Sequence, residues 1–240
     1  MIRTFSLLMV LAGGCGSLLG DDTVEELLQQ ATQFSQRGDW AAALSRLDEA
    51  IRQFPTTPLP WYLRGRENFR AGKVKESLAD FDRYLVLMPK AESQQWERGI
   101  SCYYMGEFKK GAKQFEDYQT FHNQDVENSA WRYLCVAKDA GVEKARANLL
   151  PIESDRRVPM MEIYALYQGK KTPEEVLAAA KNDNQALFYA HLYIGLWHEV
   201  AGRAAEAKTH ILEAEKHKIA HYMWDVAHVH ADRLRAEEKK

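Results

Sequence analysis

Proline is scarce in this chain, seven residues in 240. Proline is the strongest breaker of helix interiors, so its scarcity, beside many Ala, Leu, Glu, Lys and Gln residues, leaves helix favoured throughout. Cysteine is scarcer still, three residues with no C-x₂-C spacing. That count excludes a dense disulfide framework and a Cys-based zinc ribbon. Neither sign of charge is in excess: 32 basic against 34 acidic residues give a net charge of −2. Nucleic acid is therefore not an expected partner, since no basic surplus is available to displace counterions from phosphates. No later segment holds the ~18 uninterrupted apolar residues of a membrane-spanning helix. A glycine-rich phosphate loop, a nucleophile elbow and a His-Glu-x-x-His pair are all missing. Catalysis thus has no motif to stand on, and no cofactor or metal is expected.

The segment 1–20 differs from the rest. Arg3 precedes an apolar run over 5–12 and the small residues Gly13, Gly14, Cys15 and Gly16. That order reads as a signal peptide, with an apolar run too short for a span. Leu11-Ala12-Gly13-Gly14-Cys15 resembles a bacterial lipobox, with Leu one place further from the cysteine than usual. Cys15 is the expected lipidation site, and two acyl chains there would tether the protein to a membrane. The alternative is ordinary cleavage after a small residue such as Gly16. Cys102 and Cys135 form an even pair that export would allow to bridge. Both fall in apolar helical stretches, where free cysteine acts as a small hydrophobe.

What the chain has is a repeat. At an offset of 34, Gly38, Gly72 and Gly106 recur, as do Gly65 and Gly99, Pro55 and Pro89, Phe81 and Phe115, Tyr84 and Tyr118, and Phe69 with Tyr103. Such periods mark stacked supersecondary units. In the second unit the spacing predicts one helix over 58–71, with Trp61, Gly65 and Asn68 inward. A second helix over 74–88 packs Ser77, Phe81 and Tyr84. Gly72 ends the first helix and Pro89 closes the unit. These residues resemble the tetratricopeptide repeat, with Asn68 in place of the usual aromatic and Ser77 in place of alanine. Units over 24–57 and 92–125 share the register.

The resemblance implies an all-α solenoid of about six helix pairs. Four units fill 23–150, the fourth shortened around Trp131, Leu134, Gly141 and Ala145. Irregular connecting helices follow over 151–182. A late unit and a capping helix occupy 183–240, the unit marked by Gly195, His198, Gly202, Ala207 and Ile211, the helix running over about 220–236. Together with the lipobox-like start, this outline is similar to the NlpI-type lipoproteins of bacterial envelopes, which act as adaptors for cell-wall hydrolases and a protease. The stretch 188–214 carries most of that likeness.

Inner helices of such a stack line a concave groove. Tyr62, Arg66, Phe69, Arg70, Trp96, Tyr103, Tyr104, Trp131 and Arg132 follow the groove period. Tyr, Trp and Arg are the types most enriched at binding hot spots, and they suit an extended peptide or partner helix. The competing reading puts the aromatics in the core. A clamp for C-terminal carboxylates is not expected, because Leu28 and Thr32 stand where such clamps set Lys and Asn. Seven of the eight histidines fall between His191 and His230. His217 and His221 have a workable zinc spacing but straddle a helix junction, and His191 and His198 fit packing positions better. The expected function is a non-catalytic, exported envelope scaffold that binds a protein or peptide partner. The alternative is a homo-oligomerising structural protein without a dedicated peptide ligand.

Overall fold

A computed structural model describes residues 22–237 and residue 239. The signal segment and Cys15 lie outside these described residues. Within them the chain is all-helical: six α-helix pairs, a closing α-helix, and a short 3₁₀ helix at Pro89–Gln94. The pairs are α1 (Val24–Gln36) with α2 (Trp40–Gln53), α3 (Pro58–Arg70) with α4 (Val74–Leu87), and α5 (Trp96–Met105) with α6 (Phe108–Phe121). Next come α7 (Val126–Ala140) with α8 (Val142–Ala147), α9 (Met160–Tyr167) with α10 (Pro173–Ala180), and α11 (Asn184–Val200) with α12 (Ala204–Lys216). The last is α13 (Tyr222–Glu237). None of these helices is long and apolar enough to cross a membrane.

Local chemistry sets the helix ends. Thr23 and Glu26 form a capping box at the start of α1, and Thr172 and Glu175 another at α10, each reciprocally satisfying backbone donors that the first turn leaves unpaired. Gly72 adopts φ 73°, which a side chain resists. It lets the Lys73 N–H turn back to the Asn68 carbonyl at 2.8 Å. The same closure recurs after Gly38, Gly106, Gly169 and Gly202, so even the compressed pair α9–α10 is built as a repeat unit.

A second device, a glycine on one helix facing a bulky side chain on the next, brings the two helices of a pair together. A Cβ on Gly65 would lie 3.0 Å from the Phe81 ring, one on Gly99 2.6 Å from the Phe115 ring, and one on Gly195 2.9 Å from Ile211. These distances are shorter than packed carbon atoms tolerate, so glycine is what allows each close approach. Gly111 plays the same part between units, where a Cβ would sit 2.8 Å from Cys135 Sγ and 3.3 Å from Cys102 Cβ. Both cysteines are free and buried, and serve as small apolar groups rather than as a bridge.

Successive units are tied by arginines at the repeat spacing. Arg64 donates to Asp48 in the preceding unit (2.7 Å) and to Asp80 in its own (2.6 and 2.9 Å). Arg98 does the same with Asp82 (2.6 Å) and Gln114 (2.8 Å). Arg132 reaches back to Glu116 (2.9 Å) and forward to the Asn148 carbonyl. Arg132 is thus a strut between units, which corrects its expected place in the groove. The ladder ends on a backbone carbonyl because the Asn148 side chain, at the position of Asp80 and Gln114, donates instead to the Lys144 carbonyl at 2.7 Å.

Beyond α8 the chain crosses an irregular stretch and the solenoid curls, so that α11 packs against α7. Tyr133, Tyr167 and Tyr193 meet there edge to face, with centroids 4.8 and 6.5 Å apart. All three are almost fully buried.

Candidate functional site

The concave face is covered by the chain's own last helix. The closing helix is expected to cap α12, and it does pack there, but it also lies across α3 and α5. Tyr222, Met223, Val226, Ala227, Val229 and Ala231 are buried beneath it. Nearly every residue placed in the groove by period meets this helix or the core. Phe69 (0% exposed), Trp131 (1%), Tyr103 (4%) and Tyr104 (8%) are core residues, a correction to their reading as an open binding face. Phe69 packs on Tyr104 and Tyr222. Arg70 pairs with Asp225 at 2.7 Å and with Glu67 at 2.5 Å, and its guanidinium lies over the Tyr222 ring. Arg66 also stacks on Tyr222, 4.9 Å from the ring centre. The Tyr62 hydroxyl donates to the buried carboxylate of Glu97 at 2.7 Å. Arginine over an aromatic face gains more when water is excluded, so Arg66 and Arg70 do bind, but what they bind is α13.

His230 anchors the far end of that helix. Its Nδ1 lies 2.9 Å from the Tyr104 hydroxyl and its Nε2 lies 3.5 Å from Glu199. Arg233 donates to the Tyr104 carbonyl, and Lys138 pairs with Glu199 at 2.8 Å. Burial lowers the His230 pKa; Glu199 works against that shift, Arg233 and Lys138 with it, and the more distant Glu237 against it. A histidine that is harder to protonate when folded binds fewer protons than in the unfolded chain. Its stabilisation is therefore present above its usual value of 6.5 and is lost as pH falls below it. In melts between pH 7.5 and 5, His230→Gln should flatten the acid loss of stability. The flattening is at most one proton's worth, about 1.4 kcal/mol per pH unit. An unchanged slope would place the acid sensitivity elsewhere.

Openings remain beside α13. One of about 480 Å³ lies between Trp40, Arg70 and Trp224, and one of about 400 Å³ between Phe108, Glu199 and Leu234. A larger one, about 500 Å³, is bounded by Trp96, Tyr118, His122, Asn128, Trp131, the 154–157 segment and His221. Trp96 is the groove residue that stays at an open cleft, stacked on His221 with ring planes 6° apart. Arg156, exposed on the rim, has no hydrogen bond or ion pair among the described residues. Phe121, in ring contact with Tyr118, and Val158, next in sequence to the lining residues His122 and Arg157, are large apolar side chains left exposed, at 57% and 58%.

The back wall of this cleft is a charge hub. Arg157 pairs with Asp125 (2.7 Å), Asp155 (2.6 Å) and Glu127. Glu127 also accepts from the Tyr193 hydroxyl at 2.8 Å. Burial, reinforced by Asp125 and opposed by Arg157 and the Tyr193 bond, raises the Glu127 pKa to about 7. A carboxylate titrating near neutrality in the main cleft fits a general acid or base. Here both of its oxygens are committed, to Arg157 and to Tyr193, so its geometry serves the wall rather than a reacting group.

His217 and His221 do straddle the junction between α12 and α13, and their side chains part. His217 caps the end of α12 and faces Asn184 at 3.1 Å, whereas His221 turns to Trp96. Sequence reading missed the arginine struts, although 64, 98 and 132 share the offset of the repeat. It also missed the Arg157 hub, for which an irregular loop gives no periodic signal.

No family model matches the chain, and no curated protein matches it. Among solved structures it is similar to MamA, residues 41 to the end, from Desulfovibrio magneticus RS-1. The TM-score is 0.51 at 16% identity, over 81% of this chain and 94% of that one. A double mutant of MamA RS-1 gives 0.50 at 16% identity, over 82% and 94%. A thermophilic TPR protein of Thermus thermophilus, TTC0263, gives 0.47 at 15% identity, over 87% and 98%. The fold is a tetratricopeptide-type solenoid, as the repeat register, the recurring glycine closures and the Gly–Phe contacts of its units require.

Proposed function

We propose that this chain is a non-catalytic interaction scaffold of a bacterial envelope, exported, lipidated at Cys15, and holding a segment of a partner protein in the 500 Å³ cleft beside the head of α13. The observation that carries this reading is the rim itself: an unpaired arginine, Arg156, lining the same cleft as Trp96 and Tyr118. Rigid aromatic surface and a free guanidinium bind at low entropic cost, and their exposure has no folding role to explain it. Much of the concave face is already occupied by α13, and of the openings beside it this cleft is the one whose rim carries the free arginine. The lipobox-like start and the likeness to NlpI-type adaptors support the envelope setting.

The test is a photo-reactive residue placed at His122 of the full chain in its own cell. It should cross-link one discrete envelope polypeptide, and Arg156→Glu should abolish that product while leaving the melting temperature unchanged. Equal cross-linking from Lys113 on the outer helix α6, insensitive to Arg156→Glu, would move the binding face off the cleft. Cross-links only to other copies of the chain would favour the self-associating alternative. Intact mass of the protein from membranes should give a chain that begins at Cys15 and carries acyl groups. A lipid-free chain that begins later would remove the anchor.

A further inference from the structure

Two groups of metal-capable side chains lie away from the cleft. Glu215, His228 and Asp232 bring three ligand atoms within 4.8 Å of one another. Arg235, however, pairs with both carboxylates, at 2.9 Å from Asp232, so a cation already sits among them. The other group lies on the seam between α11 and α12. There His191 Nδ1 and His210 Nδ1 face each other at 3.0 Å. His217 stacks parallel on His191 with centroids 5.9 Å apart, and His198 stacks on His210 at 5.7 Å.

We infer that His191 and His210 form a binding site for a late first-row divalent cation such as Zn²⁺, clamping α11 to α12. The geometry carries this. Zinc holds imidazole nitrogens at about 2.0–2.1 Å, so two ligands of a tetrahedral ion stand roughly 3.3 Å apart. The two Nδ1 atoms are 3.0 Å apart and need to open by only a few tenths of an ångström. Both rings are partly exposed, so water can reach the ion and complete its shell. Glu213 lies one turn beyond His210 on the same face of α12; one of its oxygens pairs with exposed Lys216 at 2.5 Å, and the other, 3.9 Å from His217 Nε2, can swing in as an anionic third ligand. The flanking imidazoles, stacked within 9° and 11° of parallel, bear on the two ring planes from either side. An imidazole pair suits Zn²⁺, Cu²⁺ or Ni²⁺ and not the oxygen-seeking Mg²⁺ or Ca²⁺. On binding, the imidazole that carries the Nδ1 hydrogen gives it up to water and takes a proton at Nε2, so both ligands stay neutral and no net proton is released.

The experiment uses the full chain without a histidine tag, stripped by chelator and titrated with ZnCl₂, with MgCl₂ as control. One Zn²⁺ per chain should bind and raise the melting temperature, with no effect of Mg²⁺. Co²⁺ in its place should give the visible absorption of a nitrogen-ligated site. His191→Gln and His210→Gln, checked for unchanged helicity, should each abolish both signals, and His228→Gln should leave them intact. Absence of Zn²⁺ binding, or binding that survives both seam variants, overturns the inference. Binding lost only in His228→Gln would assign the ion to the α12–α13 group and overturn it equally.

Discussion

Ending the chain after Lys218 should cost this protein most of its stability. The truncation removes Tyr222, Met223 and Val226, each 3% exposed or less. Burying one such side chain contributes about 1.5–3 kcal/mol, and three approach the total stability of an ordinary domain, roughly 5–15 kcal/mol. The loss is not confined to the helix removed. Phe69 and Tyr104, on α3 and α5, are covered by α13, and would face water without it. Arg70 would lose Asp225 and keep only Glu67 as an ionic partner. A drop in melting temperature on the order of 10–20 °C follows for a chain of this size, together with binding of a hydrophobic dye to the opened groove. Because units of a solenoid contact mainly their neighbours, α1–α6 should keep their helical signal at low temperature. A truncated chain that melts within a few degrees of the full one, with no dye binding, would show that α13 adds little to the stack it covers.

Arg157→Ala should destabilise the folded chain by about 3 kcal/mol, the lower end of the range for breaking a buried ion pair. The low end is appropriate because the Arg157 side chain is 39% exposed and partly screened. Three carboxylates converge on it, and two are nearly sealed, with side-chain exposures of 11% at Glu127 and 5% at Asp155. The pH dependence separates this cause from simple loss of packing. Glu127 already titrates at about 7 when folded, against 4.5 unfolded. A carboxyl with a raised folded value binds more protons folded than unfolded, so its cost grows as pH rises from 4.5 through 7. Without Arg157 the folded value moves higher still. The stability gap between variant and parent should therefore be widest at pH 8 and narrow towards pH 5, where Glu127 carries its proton in both. A gap that is constant across that range would mean that the loop is held by contacts other than charge.

Which parts of this architecture can be read from a single sequence follows from how local each cause is. The Gly65–Phe81 and Gly99–Phe115 contacts leave a visible trace because the same steric demand recurs in successive units. The glycine closures are equally plain, even in the shortened pair at Gly169. The aromatic and arginine residues of α3 and α5 were also visible, but not what they face. Period places Tyr104 on the concave side, whereas only the path of the 217–221 segment decides whether water, a partner or α13 covers it. The apolar stripe of α13 looks the same whether it caps α12 or spans the groove. His191 and His210 sit on different helices and meet only because α11 and α12 run antiparallel. Arg157 lies in a segment without period, and its three partners come from two distant parts of the chain.

The arginine struts bear on how such a chain can change its length. Each strut takes one acceptor from the helix before it and one from the helix after it, at the same separation in sequence on either side. A block one repeat long therefore carries half a joint at either end. Copying the segment from Arg64 to Glu97 and inserting it in register would give the newcomer a donor for the block behind and acceptors for the block ahead. No end would be orphaned. A block that is not a whole number of repeats would leave a guanidinium without its acceptor at the seams. Growth of this part of the chain is thus quantised, open at the Arg64 and Arg98 rungs and closed at Arg132, where the Asn148 carbonyl accepts and its side chain is turned away.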